Sequence, residues 1–310
     1  MKKKVTLFLL SAVIALSLTG CKSGDYSKAV KSQEAGDYQA ALELYERIDD
    51  YENYKDTADR VAECKAMVEA IGAFDTAKSS AEKKNSELDS AISEAETLIA
   101  ENKPSLDDTL VPTLETAISD AKSAKQSIME MPATKDEIIA ASKQLDSFDY
   151  SNVLSNLVDK TSALDKSVKQ YALVDAPTEA YVIECLKKVE NIKDISAVTE
   201  DNDPNGKLNK AGGYTAQVYF SSDLVNQSQV YGTSLIEKGT AAGGSIEVYA
   251  NVDDANTRND YLATFDGGIL ASGSHTVIGT VIVRTSDELT ASQQKTLEAN
   301  IIAALTEVVE

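Results

Sequence analysis

Apolar residues recur at intervals of three and four through residues 77–174. This spacing places them on one face of an α-helix, which has about 3.6 residues per turn. Pro104 and Pro132 interrupt the pattern, and proline ends or kinks a helix because it has no amide hydrogen to donate. The region therefore predicts several helices packed together. Their expected buried residues are Leu88, Ile92, Ala95, Ile99, then Leu114, Ala117, Ile118, Ala121, Ala124, Ile128, then Ile138, Ala141 and Leu145.

Three of these segments, residues 88–95, 114–124 and 133–145, resemble the FIVAR module, a three-helix repeat of Gram-positive surface proteins. The resemblance covers residues 87–148, and Thr134 with Glu137 predicts a capping box for the third helix. It implies a spacer of the kind found in adhesins, and some family members bind host proteins or carbohydrate. The aromatic residue that is common before the second helix is absent here, which favours a stalk. With a further helix at 152–173, this predicts a FIVAR-like helical bundle over residues 76–174.

An earlier helical segment follows a short polar tether at residues 22–25. Residues 29–48 resemble a tetratricopeptide helix–turn–helix, in which Gly36 lies in the turn, Ala41 lets the helices approach, and Tyr45 and Ile48 pack between them. Stacked repeats of this kind need about three units for stability. The sequence has one repeat and a degenerate continuation, so residues 21–75 predict a structural hairpin rather than a peptide-binding groove.

The first twenty residues have the features of a secretory leader. Three lysines follow Met1, and an apolar run extends over residues 5–16, which is too short for a comfortable membrane span. Leu18-Thr19-Gly20-Cys21 resembles the lipobox of bacterial lipoproteins. The resemblance implies cleavage before Cys21 and attachment of lipid to its thiol. It predicts an extracytoplasmic protein anchored to the lipid bilayer of the bacterial cell membrane, with residues 1–20 removed.

Beyond Pro177 the composition changes, because glycines concentrate and β-branched and aromatic residues alternate. This indicates an α+β domain over residues 177–310, with a small sheet and helices on one of its faces. We expect a flexible turn at residues 239–244. The expected helices are 179–189, 253–265 and 290–308, and the expected strands are 195–198, 213–220, 245–250 and 276–284. The predicted fold class is thus multidomain and mainly α, with a C-terminal α+β domain.

This last region resembles a domain of Gram-positive lipoproteins whose function is unassigned. The residues that carry the resemblance are 198–206, 213–215, 218–220, 243–249, 258–262 and 283–286. It implies no particular activity, so candidate sites must come from the residues themselves.

A ligand pocket in this domain would be lined by His275, Arg284, Tyr219 and Tyr249. His275 is the only histidine, which excludes a two-histidine metal site, and a hydrogen-bonded loop histidine is the simpler interpretation. Arg284 ends an apolar strand, so its guanidinium needs a carboxylate from the protein or from a ligand. No catalytic constellation is recognisable.

A second candidate is the loop that begins at Asp201. Asp201, Asp203 and Asn205 supply oxygen atoms at alternate positions and Gly206 follows, which is how a calcium loop begins. The twelfth position, however, is Gly212 rather than a carboxylate. The alternative is a solvated turn, where Asp, Asn, Pro and Gly are common. Calcium is the only cofactor that the sequence suggests.

Charge and cysteine content bound the function further. Residues 21–310 hold 27 basic and 50 acidic residues, a net charge of −23. No basic stripe is available to neutralise phosphates, which argues against nucleic acid as a partner.

Cys64 and Cys185 fall in expected helices and different expected domains, so we favour two buried thiols over a disulfide.

These observations lead to one main hypothesis with two alternatives. The chain is expected to be a lipid-anchored binding, adhesion or spacer protein of the cell envelope, whose C-terminal domain binds a protein, a peptide or wall glycan. The first alternative is a structural subunit of an envelope complex. The second is a hydrolase that acts through paired carboxylates in the C-terminal domain.

Overall fold

The computed structural model describes residues 21–268 and 273–309, so the expected leader at residues 1–20 lies outside it. The chain divides into two compact units. The first extends to Glu87 and includes Lys125–Tyr150, and the second comprises Leu88–Ala124 and Ser151–Glu310. Among the described residues no helix is both long enough and apolar enough to span a membrane. The predicted fold class is confirmed: the chain is mainly helical, and a small antiparallel sheet lies in its C-terminal part.

The first unit begins with the predicted hairpin of α1 (Lys22–Glu34) and α2 (Tyr38–Glu46). Gly36 makes the turn with φ of 82°, a value that glycine adopts without strain. Ala41, Tyr45 and Ile48 are buried as predicted. The expected tether at residues 22–25 is wrong, because these residues form the first turn of α1. A 3₁₀ turn (Tyr51–Asn53) leads to α3 (Thr57–Ala100), and α5 (Lys135–Asp146) completes the unit.

Two predictions about this part of the chain need correction. The helix expected to reach Ile128 is α4 (Leu110–Ala124), which ends earlier. The chain then leaves the helix, and Gln126 accepts a hydrogen bond from Asn85 and donates one to Tyr150 through backbone atoms. Thr134 does not cap the amide groups of α5, since its hydroxyl donates to the Glu137 carboxylate at 2.7 Å instead.

The helical part of the second unit consists of the end of α3, α4 and α6 (Ser151–Leu173). Most of the predicted apolar positions are buried in it, as their helical spacing predicts, whereas Ile99 and Ala124 are half-buried. The buried residues are Leu88, Ile92, Ala95, Leu114, Ala117, Ile118, Ala121, Leu157 and Leu164.

The rest of the second unit contains a five-stranded antiparallel sheet. Its strands are β1 (Ile192–Ala197), β2 (Ala216–Ser222), β3 (Gly243–Val248), β4 (His275–Ile278) and β5 (Val281–Thr285), in the spatial order β1-β2-β3-β5-β4. The single strand expected at 276–284 is therefore a hairpin of β4 and β5. Gly279, with φ of 58°, makes its turn, and the Thr280 amide donates to the Val174 carbonyl at 3.0 Å.

Helices cover both faces of the sheet, so the expectation of helices on one face is wrong. α7 (Glu179–Leu186) and α10 (Ala291–Leu305) pack on the face formed by Val218, Ile246 and Val283. The short α8 (Leu235–Lys238) and α9 (Val252–Ala263) pack on the other face, against Tyr219, Tyr249 and Ile282. We call this second face the polar face, because ionised and hydroxyl side chains interleave with its apolar residues.

The expected flexible turn at residues 239–244 is ordered. Gly239–Ala242 forms a 3₁₀ turn, and Gly243 and Gly244 begin β3. A Cβ atom on Gly244 would lie 2.3 Å from the Arg284 carbonyl oxygen and 2.3 Å from the Phe220 ring. Glycine is therefore required here by the close approach of two neighbouring strands.

Candidate functional site

Strand register lines up the sequence-predicted residues across the polar face. Tyr219 lies opposite Ser245, Ser245 opposite Arg284, and Arg284 opposite His275. Because side chains alternate between the faces of a sheet, these four point to the same side. Tyr249, the fourth predicted residue, follows β3 and has its ring 6.4 Å from that of Tyr214, edge to face. The structure thus places all four predicted residues on one surface of the sheet.

The centre of the polar face is a residue that sequence analysis missed. Glu247 on β3 is fully buried, and its two carboxylate oxygens accept four hydrogen bonds. Oε2 accepts from Tyr249 Oη at 2.8 Å and Arg258 Nε at 2.9 Å. Oε1 accepts from Arg258 Nη2 at 3.2 Å and Arg284 Nη1 at 2.9 Å. A carboxylate has about four acceptor positions, so Glu247 is saturated by protein donors. Arg284 therefore obtains its carboxylate from the protein.

The charge state of this cluster follows from its contacts. Burial alone would raise the pKa of Glu247, but the hydrogen bond from Arg258 and the positive charges of Arg284 and Arg258 outweigh burial and lower it. The pKa of Tyr249 is raised by burial and by the negative charge of Glu247. Burial and the same charge raise the pKa of Tyr219 to about 12. At neutral pH the cluster therefore holds an ionised glutamate between two arginines and neutral tyrosines.

Gln217 lies beside this cluster on β2 and is fully buried. Its Nε2 atom donates to Tyr219 Oη at 3.1 Å. Its Oε1 atom has no hydrogen-bond partner among the described residues. Buried polar atoms are nearly always paired, so this oxygen marks a position where the polar face is under-satisfied.

His275 is the first residue of β4 rather than a loop residue. Its Nδ1 atom is 2.7 Å from Asn259 Oδ1, and its Nε2 atom is 3.3 Å from Asp266 Oδ1. Both ring nitrogens thus connect the strand to α9 and the residues that follow it. His275 is a hydrogen-bonded structural residue in this arrangement, as the simpler interpretation of the sequence had it.

The outer side of α9 carries an aromatic pair, of which Tyr261 is exposed and Phe265 is half-buried. The Tyr261 ring is 56% exposed, and its centroid lies 5.1 Å from that of Phe265 in an edge-to-face contact. The guanidinium carbon of Arg258 lies 5.4 Å from the Tyr261 ring centroid. We call Tyr261, Phe265 and Arg258 the α9 patch. Sequence analysis missed this patch. A signal was present, because Leu262 lies on the buried side of the helix and its neighbour Tyr261 must then point away from that side.

The loop of the calcium hypothesis is organised by Asp203. Its Oδ1 atom accepts from the Asn205 amide and from the Tyr214 hydroxyl, and its Oδ2 atom accepts from the amides of Lys207 and Leu208. These four donors fill the acceptor positions of the carboxylate. The described residues contain no group of three His, Cys, Asp or Glu that could hold a metal ion. The geometry therefore favours the solvated-turn alternative for Asp201, Asp203 and Asn205.

The three cysteines differ in exposure. Cys64 and Cys185 are buried free thiols, and burial raises the pKa of each. Cys21 is an exposed free thiol at the first described position. It is the only one of the three that solvent or an enzyme reaches directly.

Comparison of the chain with known protein families, with curated proteins and with solved structures finds no significant match. The functional argument therefore depends on the chemistry of the residues described above.

Proposed function

We propose that this chain is a lipoprotein of the bacterial cell envelope, anchored through acylated Cys21 on the outer side of the membrane, which binds envelope glycan through the α9 patch. The lipobox at residues 18–21 supports the anchor. One observation carries the binding role: the exposed Tyr261 ring lies against an arginine that a buried carboxylate holds in place.

This positioning runs through two contacts of Arg258. Its Nε and Nη2 atoms bind Glu247 inside the domain, while its guanidinium also lies against the Tyr261 ring outside. A planar guanidinium held by two hydrogen bonds has little freedom to rotate. The exposed ring is thus pre-organised, which lowers the entropy lost when a ligand stacks on it.

The surroundings of Tyr261 favour a saccharide. Thr257 lies four residues before Tyr261 and Thr264 lies three residues after it, so both share its face of the helix, and both are exposed. A sugar ring has an apolar face that stacks on an aromatic ring, and hydroxyl groups that pair with hydroxyls and carboxylates. A hydroxyl-flanked aromatic ring supplies both kinds of contact.

The state of Glu247 favours binding over hydrolysis. A glycosidase needs one carboxyl group that is protonated at the working pH and donates to the leaving group. Two guanidinium groups hold Glu247 ionised and occupy its oxygens, so it has no proton to donate.

The binding proposal is tested with insoluble peptidoglycan as the probe. Full-length protein in detergent is mixed with purified sacculi and sedimented. Tyr261→Ala is expected to weaken co-sedimentation by about tenfold, the effect of losing one stacking contact of about 1.4 kcal/mol. The matched control is Tyr231→Ala, which removes another exposed ring, 95% exposed, from a loop of the same domain. If the wild type stays in the supernatant, or if both variants sediment like it, the glycan role is wrong and the structural-subunit alternative gains weight.

The anchor is tested separately by mass spectrometry of the N-terminal peptide of protein from bacterial membranes. We expect Cys21 as the first residue, with the mass of a diacylglycerol on it. A Cys21→Ala variant should leave the membrane fraction. An unmodified Cys21, or an unchanged distribution of the variant, would contradict the proposed location.

A further inference from the structure

Cys21 is followed by helix without a spacer. Helix α1 begins at Lys22, and the Cys21 carbonyl oxygen accepts hydrogen bonds from the amides of Gly24 at 2.7 Å and Asp25 at 3.2 Å. The residue that would carry the lipid is therefore the N-cap of a packed hairpin. Lipid on its thiol leaves the hairpin no flexible length to move away from the bilayer.

Helix geometry fixes how far the next residues reach. Each residue advances about 1.5 Å along the axis, so Tyr26, five residues after Cys21, lies at most about 8 Å from it along the helix. The headgroup layer on one side of a bilayer is about 5–8 Å thick. With the acylated thiol at the inner boundary of this layer, Tyr26 lies within the layer or at its outer limit.

An aromatic and cationic cluster occupies this end of the hairpin. The Tyr26 ring contacts the rings of Tyr45 and Tyr54 edge to face, at centroid distances of 6.0 and 5.9 Å. The Lys55 ammonium lies 3.9 Å from the Tyr26 ring centroid and 5.3 Å from that of Tyr54. We call Tyr26, Tyr54 and Lys55 the anchor cluster. Tyrosine rings and lysine stems are the side chains that favour the membrane–water interface.

The charges around this cluster decide which lipids it suits. Residues 21–30 and 47–60 together carry five basic and six acidic side chains, a net charge of −1. Several of them are already paired, including Lys22 with Asp49 at 3.6 Å and Arg60 with Asp56 at 2.8 Å. Such a surface is not attracted to anionic headgroups by charge. This nearly neutral surface, with its tyrosine rings at the membrane–water interface, is better suited to zwitterionic headgroups.

We propose that the anchor cluster contacts zwitterionic lipid headgroups, so that the acylated protein holds its first unit directly against the bilayer instead of on a tether. This inference rests on the proposed acylation of Cys21. It adds a second, protein-mediated contact to the lipid anchor.

The test uses the absence of tryptophan from the sequence. Tyr54→Trp introduces a single indole into the full-length acylated protein, which is placed in phosphatidylcholine vesicles with bromine atoms high in the acyl chains. We expect its fluorescence to be quenched at least twofold more than that of Tyr231→Trp, whose ring lies in the C-terminal domain. The quenching should be the same at low and high salt. If Tyr54→Trp alters the circular dichroism spectrum, Tyr51→Trp on the neighbouring 3₁₀ turn serves as the reporter.

A spacer variant separates contact from mere anchoring. A twelve-residue Gly/Ser insertion between Cys21 and Lys22 keeps the lipid and frees the hairpin, so quenching should fall to the level of Tyr231→Trp. Equal quenching in the reporter and control variants, or no change on insertion, overturns the inference while acylation stands. If the mass of the N-terminal peptide shows no lipid, the proposed location and this inference both fail.

Discussion

The Nε atom of Arg258 lies 2.9 Å from Oε2 of Glu247, and this contact joins helix α9 to the central strand of the sheet. The same glutamate also binds Arg284 from the neighbouring strand. One buried carboxylate therefore holds together three elements of the C-terminal domain, and its removal leaves two buried or half-buried cations without this partner.

Glu247→Gln should strongly destabilise the protein. The amide keeps the shape but not the charge, and breaking a buried ion pair on one side costs about 3–5 kcal/mol of the free energy of unfolding. Urea denaturation followed by circular dichroism measures the change. The control Asp260→Asn removes an exposed acid from α9 and should change the free energy by less than about 0.5 kcal/mol. Similar losses in both variants would show that Glu247 is not the organising charge.

Acid should remove this contribution. The lowered pKa of Glu247 means that the folded protein keeps the carboxylate ionised where the unfolded chain protonates it. The stabilisation is present above the ordinary glutamate pKa of 4.5 and is lost as pH falls through the lower folded value. The stability gap between wild type and Glu247→Gln should therefore shrink from pH 5 towards pH 2. A gap that stays constant over this range would contradict the assignment.

At high pH the protein should lose stability through ionisation of Tyr219. Because its pKa is raised from 10.0 to about 12, the unfolded chain ionises this phenol first. The stabilisation that results from the raised pKa of Tyr219 is fully present below pH 10. It is lost as pH rises to 12, by up to about 1.4 kcal/mol per pH unit. Tyr219→Phe should flatten the fall in stability across this interval. Parallel curves for wild type and Tyr219→Phe would count against the prediction.

Two glycines should respond oppositely to alanine. Gly72 lies within α3, where a Cβ atom would meet nothing within 4 Å, so Gly72→Ala should stabilise the protein by about 0.5–1 kcal/mol. Gly244→Ala would force a methyl group against the Arg284 carbonyl and should destabilise it by about 1–3 kcal/mol. Thermal denaturation of both variants checks the signs. A neutral Gly244→Ala would show that β3 and β5 can separate without cost.

The thiols should differ in reactivity. Thiolates react with iodoacetamide, and burial raises the pKa of Cys64 and Cys185, which lowers their thiolate fraction. In protein made without lipid, Cys21 should be alkylated at least about tenfold faster than the other two, as measured by peptide mass spectrometry. In denaturant the three rates should converge. Rapid labelling of Cys64 or Cys185 in the folded protein would mean that their surroundings open readily.

Local patterns predicted the existence of the helices and most of their buried positions, but not all of their ends and caps. The turn at Gly36 and the buried positions Ala41 and Tyr45 follow from glycine in a turn and apolar residues at helical spacing. Such signals are contained in a few neighbouring residues. The hairpin at Gly279 was missed because its two strands read as one continuous apolar run, although the glycine in its middle was a turn signal.

The polar face could not be derived in the same way. Alternation along β3 places Glu247 on the face opposite to that of Ile246 and Val248. A charged residue on that face is expected to be exposed to solvent. The structure buries it because α9 covers that side and brings Arg258, eleven residues later, to the carboxylate. Arg284 and Tyr249 were predicted as site residues, but Glu247, the residue that binds both, is only one of fifty acidic residues in the sequence. Pairing of distant charges depends on tertiary packing, which a single sequence does not display.

The unsatisfied oxygen of Gln217 illustrates that amino-acid substitutions have different effects on the two faces of the sheet. On the side of Val218 and Ile246, a substitution does harm by leaving empty space or by crowding. On the side of Gln217 and Glu247, a substitution of the same volume does harm by stranding a donor or a charge. Sequence change in this domain should accordingly conserve side-chain volume on one side of the sheet and hydrogen-bond complementarity on the other. A substitution that gives Gln217 Oε1 a donor, which it lacks among the described residues, is the clearest way to raise stability.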